Sequence, residues 1–258
     1  MIPKRIHYCW FGRNPKPKLA EKCIKSWKKH CPDYEIKEWN EDNFDISEAP
    51  LYVQQAYESK KWAFVTDYVR LWAMVNYGGI YMDTDVEVIK SLDAFLKHDA
   101  FSGFESKVCI PTGIMSCKKG FPLFEELLHE YDSIPFILSD GSFDMTTNVT
   151  RITNHCSKYG FVSNGEYQII KGFALYPSEY FCPKDFSTGI TKKTKNTYTI
   201  HHFNASWHSE EQRKKTKIRQ KNAKKEIYKD LIVHAPNIIL RKAVGDKIYD
   251  RIKKQIKG

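Results

Sequence analysis

The chain has 258 residues, 41% hydrophobic and 14% aromatic, enough for one large α/β domain with a substantial core. Its formal net charge of +10 is uneven: from Ile190 to Gly258, 19 Lys and Arg face 6 Asp and Glu, against 22 and 25 in the rest. There is no run of about 18 apolar residues to span a membrane and no apolar core of a secretory signal at Met1-Ile2-Pro3-Lys4. The seven scattered cysteines offer no zinc or disulfide spacing, so a reducing cytoplasm is expected.

Ile6 to Gly12 reads as a buried first strand ending in a glycine turn, and Arg13 to Pro17 as a loop. Leu19 to His30 has the apolar spacing of an amphipathic helix, with Ile24 and Trp27 inward. Tyr34 to Trp39 alternates apolar and charged residues, as a half-exposed strand does. Strand, helix, strand within some thirty residues is a βαβ unit and predicts a parallel sheet. Trp10 ends the first strand, where open α/β sheets bind ligands; the other reading is a core indole.

Leu51 to Tyr57 predicts a short helix leading into a longer one from Trp62 to Tyr77, with Phe64, Tyr68, Leu71, Trp72 and Val75 at helical spacing. Asp67 and Arg70 lie three apart and share one side of it. Gly78-Gly79 stops the helix and turns the chain. Ile80-Tyr81-Met82 is then a short apolar strand, and Asp83 and Asp85 leave its end. Two carboxylates one residue apart make a seat for Mg²⁺ or Mn²⁺, hard cations that favour oxygen ligands.

Further strands are expected at Val86–Ile89, Ala100–Phe104, Ile114–Ser116, Phe173–Pro177 and Tyr198–Phe203, with a helix at Pro122–Tyr131. Thr146 to Asn154 carries polar side chains along a possible helix, with Asn148 a candidate sugar contact or plain solvated surface. The tail has a charge-dense helix from Glu210 to Lys229. It is followed by a more amphipathic stretch from Pro236 to Ile256, fit either for an anionic membrane surface or for packing on the catalytic domain.

Asp-x-x-Arg on a helix, then Gly-Gly-x-Tyr-x-Asp-x-Asp (Gly78 to Asp85), resembles the DXD-motif glycosyltransferases of the GT-A fold. The nearest likeness is to glycosyltransferase family thirty-two, the capsule, lipopolysaccharide and mannosyltransferase group; the clostridial toxin glucosyltransferases are more distant. Ile2-Pro3-Lys4-Arg5-Ile6-His7-Tyr8 with Trp10-Phe11-Gly12, and His201-His202 before Ser206-Trp207, fit the same pattern.

The resemblance implies a GT-A-type, Rossmann-like and mostly parallel domain over about residues 1–207, and the charge pattern sets apart a basic helical tail over 208–258. The resemblance also implies retaining transfer of a hexose from a nucleotide-sugar, a UDP-sugar by preference, to a glycan or lipid-linked glycan. Trp10 would border the base, Tyr81 contact the nucleotide or orient the DxD strand, and Ser206 and Trp207 reach the diphosphate. Asp67 would bind sugar hydroxyls and Arg70 phosphate or sugar oxygens. Asp83, Asp85 and a histidine would hold the metal, and an imidazole beside two carboxylates suits Mn²⁺ better than Mg²⁺. His201 is preferred to His202 because only one of two neighbours on a strand faces the site.

The tail would place the enzyme on the inner face of the cell membrane, with no nucleic-acid partner. Two rival readings also fit the sequence. Asp83-Thr84-Asp85-Val86 with Gly245-Asp246 and Asp250 also fits a haloacid-dehalogenase-type phosphatase. The tail alone fits a non-enzymatic basic module for membrane or nucleic acid.

Overall fold

Trp62–Tyr77 forms a 16-residue helix, and both faces of the sheet beside it follow from how it ends. Gly78 (φ +66°) and Gly79 (φ +117°) hold positive backbone angles that side-chain-bearing residues avoid. A Cβ on Gly79 would lie 2.6 Å from the Arg5 carbonyl oxygen, so the double glycine also lets two strands approach. The computed structural model describes residues 1–105, 109–204, 210–234, 241–242 and 244–256.

In chain order the strands are β1 (Arg5–Cys9), β2 (Glu35–Trp39), β3 (Gly79–Met82), β4 (Val86–Val88), β5 (Ala100–Gly103), β6 (Ile114–Cys117), β7 (Gln168–Ile170), β8 (Phe173–Tyr176) and β9 (Thr199–His201). The helices are α1 (Lys18–His30), α2 (Leu51–Glu58), α3 (Trp62–Tyr77), α4 (Pro122–His129), α5 (Asn148–Ser157), α6 (Ser178–Phe181), α7 (Glu210–His234) and α8 (Asp246–Ile256).

Seven strands form one sheet in the order β2-β1-β3-β6-β5-β8-β7. β1, β2, β3, β5 and β8 run the same way, and β6 and β7 run against them. The class is therefore α/β with a mostly parallel sheet, opened by the β1-α1-β2 unit. A separate ribbon pairs β4 antiparallel with β9, setting Val86 opposite His201.

Side chains alternate across β3, and this assigns its residues to different layers. Ile80 and Met82 join the apolar cluster around Trp27, Phe95 and Phe101, while Tyr81 joins the one around Tyr52, Phe64 and Leu71. With both faces covered, β3 ends inside the protein, and its next residues emerge at a protected edge.

Two elements have no sequence signal. Three-residue β7 is too short to show alternation, and α6 is a single turn. The chain divides into two compact units: Met1–Lys184 with Lys192–Trp207, and Asp185–Thr191 with His208–Gly258. In the second unit, Gly245 at φ +78° interrupts the expected Pro236–Ile256 run, and the described helix starts at Asp246. Residues 235–240 lie outside the described residues. Asp246 and Asp250 thus sit on a helix and not after a strand, which removes the second element of the phosphatase pattern. Among the described residues no helix is long and apolar enough to cross a membrane.

Candidate metal centre

The end of β3 places Asp83 and Asp85 where the β4-β9 ribbon begins. Asp83 N–H donates to the Gly113 carbonyl (2.8 Å), which carries the β3–β6 pairing one residue past the strand. His201, opposite Val86 in the ribbon, brings its imidazole to the same point. One ligand atom from each of Asp83, Asp85 and His201 lies within 4.8 Å of the others. His202 points elsewhere, its Nε2 being 2.8 Å from Glu87.

Two carboxylates and one imidazole are the donor set of a Mn²⁺- or Mg²⁺-type site. His201 Nε2 lies 3.2 Å from Asp85 Oδ1, and Asp85 Oδ2 accepts the Asn204 N–H at 2.6 Å. Burial alone would raise the Asp85 pKa, but His201 and the Asn204 N–H outweigh it and bring it to about 2. Burial likewise pushes the His201 pKa down, and the Asp85 charge more than reverses this, raising it overall.

Beside this trio is a buried hub centred on Arg70, which is 5% exposed. Its guanidinium lies 3.1 Å from Asp67 Oδ1 and 3.4 Å from Asp83 Oδ1, and donates to the Thr112 carbonyl at 2.6 Å. It also stacks 4.7 Å from the Tyr81 ring centroid. Burial disfavours its charge, but the neighbouring Tyr81, Asp83 and Asp67 raise its pKa overall. The Tyr81 hydroxyl donates to Asp83 Oδ1 (2.9 Å). Tyr81 is 1% exposed, with its hydroxyl spent on Asp83.

Asn148 begins α5 and is 1% exposed. Its backbone N–H donates to Asp67 Oδ2 (3.1 Å) and its side-chain amide to the Asp67 carbonyl (3.0 Å). It therefore clamps Asp67, while its side-chain Oδ1 is buried without a hydrogen-bond partner among the described residues. Trp10 is half-buried past the end of β1, its indole N–H donating to the Asn14 carbonyl (2.6 Å) and Lys16 lying 5.9 Å from its ring. Ser206 and Trp207 lie outside the described residues.

Burial pushes the Asp67 carboxyl from 3.8 up to about 6, against the pull of Arg70 and the Asn148 N–H. The native state therefore holds a proton that the unfolded chain has already lost between those values. Stability from this group declines as pH rises from about 4 to about 6. Urea midpoints of wild type and Asp67→Asn, measured from pH 4 to 7, are expected to show wild type losing ground to the variant over that window. Parallel pH profiles would contradict this account of Asp67.

Two contributors carry no sequence signal. Thr112 acts through its carbonyl on Arg70, and Gly113 acts through its carbonyl on Asp83 and its missing side chain beside His201.

The family model described as the glycosyltransferase sugar-binding region containing DXD motif matches residues 17–102. That span holds Asp67, Arg70, Asp83 and Asp85 and stops short of Asn148 and His201. Inositol phosphoceramide mannosyltransferase 3 of Schizosaccharomyces pombe is 30% identical over 139 residues, 52% of this chain and 38% of that protein. The chain thus spans about two fifths of the length of the curated relative it matches. Among solved structures, the PaToxG glycosyltransferase is similar at a TM-score of 0.47 and 19% identity, over 61% of this chain and 69% of the other. The galactosyltransferase LgtC with donor and acceptor sugar analogues gives 0.42 and 16%, over 82% and 94%. At these scores neither structure bears on the chemistry. What the comparisons add is that the stretch carrying the helix, the double glycine and the two aspartates has the pattern of a DXD sugar-binding region.

Proposed function

We propose that the chain is a metal-dependent glycosyltransferase of the family-thirty-two type, moving a hexose from a nucleotide-sugar to a glycan acceptor with retention of configuration. The observation that carries the reading is the convergence of Asp83, Asp85 and His201 beside the Arg70–Asp67 pair. Asp85 and His201 would hold Mn²⁺, or Mg²⁺, with Asp83 completing the carboxylate pair. When bound, the cation supplies Lewis-acid neutralisation of the departing diphosphate.

The chain's own groups do the rest. Arg70, fixed by Asp67, Asp83 and the Thr112 carbonyl, presents a permanent positive charge that needs no reorganisation as the glycosidic bond to phosphate breaks. Asp67, clamped by Asn148, sets the position of that guanidinium and the polarity of the sugar pocket. Trp10 supplies an aromatic face for the base at the carboxyl end of β1. Ser206 and Trp207 would reach the diphosphate.

A UDP-sugar is the favoured donor. UDP-galactose, UDP-glucose, an N-acetylated UDP-sugar and GDP-mannose are the candidates, and the S. pombe relative is named as a mannosyltransferase. Titration calorimetry tests the donor side without an acceptor. UDP or GDP is expected to bind at least about tenfold more tightly with Mn²⁺ than with EDTA. Binding unaffected by metal would defeat the cation reading.

For the acceptor, the basic second unit supports a lipid-linked glycan of capsule or lipopolysaccharide type at the inner membrane face. In α8, Lys247, Arg251 and Lys254 are exposed. Each basic residue near an anionic leaflet contributes about 1 kcal/mol, screened by salt. Full-length protein is expected to co-sediment with anionic vesicles at low salt and not with neutral ones. A Lys247→Glu/Arg251→Glu/Lys254→Glu variant is expected to lose most of that binding, and unchanged sedimentation would leave the tail without a membrane role.

A further inference from the structure

We infer that Gly113 is a positioning residue for the cation site, its missing side chain being the space that seats the His201 imidazole against Asp83 and Asp85. The inference deepens the proposed function and rests on its assignment of a cation to these residues.

The geometry is specific. A Cβ on Gly113 would stand 2.9 Å from His201 Cε1 and 2.9 Å from Nδ1, and 3.5 Å from Asp83 Oδ2. Distances near 2.9 Å are closer than carbon tolerates, so any side chain here must push the ring or the strand aside. A metal-binding histidine is ordinarily held by a hydrogen bond from its second ring nitrogen to a carboxylate or carbonyl. His201 lacks a carboxylate or carbonyl in that role: Nδ1 is buried and makes no such hydrogen bond among the described residues, and the Cys182 thiol is the ring's other polar neighbour. Besides Asp85 and Cys182, packing places the ring, with Gly113 on one side and Phe203, 4.2 Å between ring centroids, as a further neighbour.

Gly113 is itself rigidly placed. Its carbonyl accepts the Asp83 N–H, and the preceding carbonyl, of Thr112, takes Arg70. The Ser102 hydroxyl donates to the Ile114 carbonyl one residue further on (2.7 Å). The bend at 112–113 therefore ties three groups to one piece of backbone: the arginine, the first aspartate and the histidine. A small displacement there reaches all of them, but only the His201 contact depends on the absent Cβ.

The test is a double-mutant cycle on the full-length protein, read by Mn²⁺ affinity from the electron paramagnetic resonance of free Mn²⁺ and by thermal midpoint. Gly113→Ala is expected to weaken Mn²⁺ binding at least about tenfold, as disturbance of groups that orient a ligand does. It is also expected to lower the midpoint. In a His201→Ala background, where the clashing ring is gone, Gly113→Ala is expected to change neither quantity. Full Mn²⁺ affinity in Gly113→Ala, or an equal loss in both backgrounds, overturns the inference.

The thermal arm covers the remaining cases. If Gly113→Ala does not fold, the double variant with His201→Ala is expected to fold, and its failure overturns the steric account. If wild type binds no Mn²⁺, the cation reading of the site fails, and the positioning role falls with it. The thermal cycle then reports separately whether the ring contact itself is real.

Discussion

Replacing Arg70 by Met is expected to be the most damaging single change in the chain, both to stability and to turnover. The guanidinium sits between Asp67 and Asp83, stacks on Tyr81 and donates to the Thr112 carbonyl. Methionine fills much of the same volume but leaves two carboxylates at a largely buried position with no cation. Removing one partner of a buried charge cluster costs about 3–5 kcal/mol, because the survivors remain desolvated. Denaturant unfolding measures this directly, at neutral pH where Asp67 is ionised.

The loss of activity is expected to exceed the loss of stability. Nucleotide release at a temperature where the variant is folded is expected to fall at least about 10³-fold, since a preorganised charge at the leaving group is removed. Arg70→Lys is not a mild substitute: one ammonium cannot reach Asp67, Asp83 and Thr112 together. A Met variant that retained most of its activity would show that Arg70 is structural only.

The second large effect is expected at Asp85. Asp85→Asn keeps the shape and an oxygen that can accept the Asn204 N–H, but loses the charge that faces His201. The fold is expected to survive with a change in midpoint of only a few degrees, because the amide keeps the side-chain volume and the bond to the Asn204 N–H. Metal-dependent turnover is expected to fall at least about 10²-fold, since an amide oxygen is a poorer ligand for a hard cation than a carboxylate. Mn²⁺ titration of folded variant and wild type checks the cause. Equal affinity with lost turnover would move Asp85 from cation binding to another role.

The scaffold of this site was legible because it is built from strong local signals. Helical periodicity through Tyr68, Leu71 and Trp72, the Gly78-Gly79 stop and the apolar Ile80–Met82 run each have a physical reading without a fold in hand. Alternation on a strand separates two adjacent histidines, and the structure puts His201 beside the carboxylates and His202 on Glu87. Asn148 was legible only as a polar residue on a helix. That it spends its N–H and amide on Asp67 depends on α5 meeting α3, some eighty residues apart in sequence. Thr112 and Gly113 were not legible at all. A backbone carbonyl has no residue signature, and a glycine needed for space looks like any glycine in a turn. Tyr81 reads from sequence either as a nucleotide contact or as a support of the DxD strand, and only the fold shows that it is 1% exposed with its hydroxyl on Asp83.

The most direct test of the central claim is nucleotide release by full-length protein from a donor panel, without added acceptor. UDP-galactose, UDP-glucose, UDP-N-acetylglucosamine and GDP-mannose would each be incubated with Mn²⁺, with Mg²⁺ and with EDTA. At least one donor is expected to release its nucleoside diphosphate with Mn²⁺, more slowly with Mg²⁺ and not with EDTA, and Asp85→Asn is expected to abolish it. Release that persists in EDTA or in Asp85→Asn, or no release from any donor with either metal, would contradict the account.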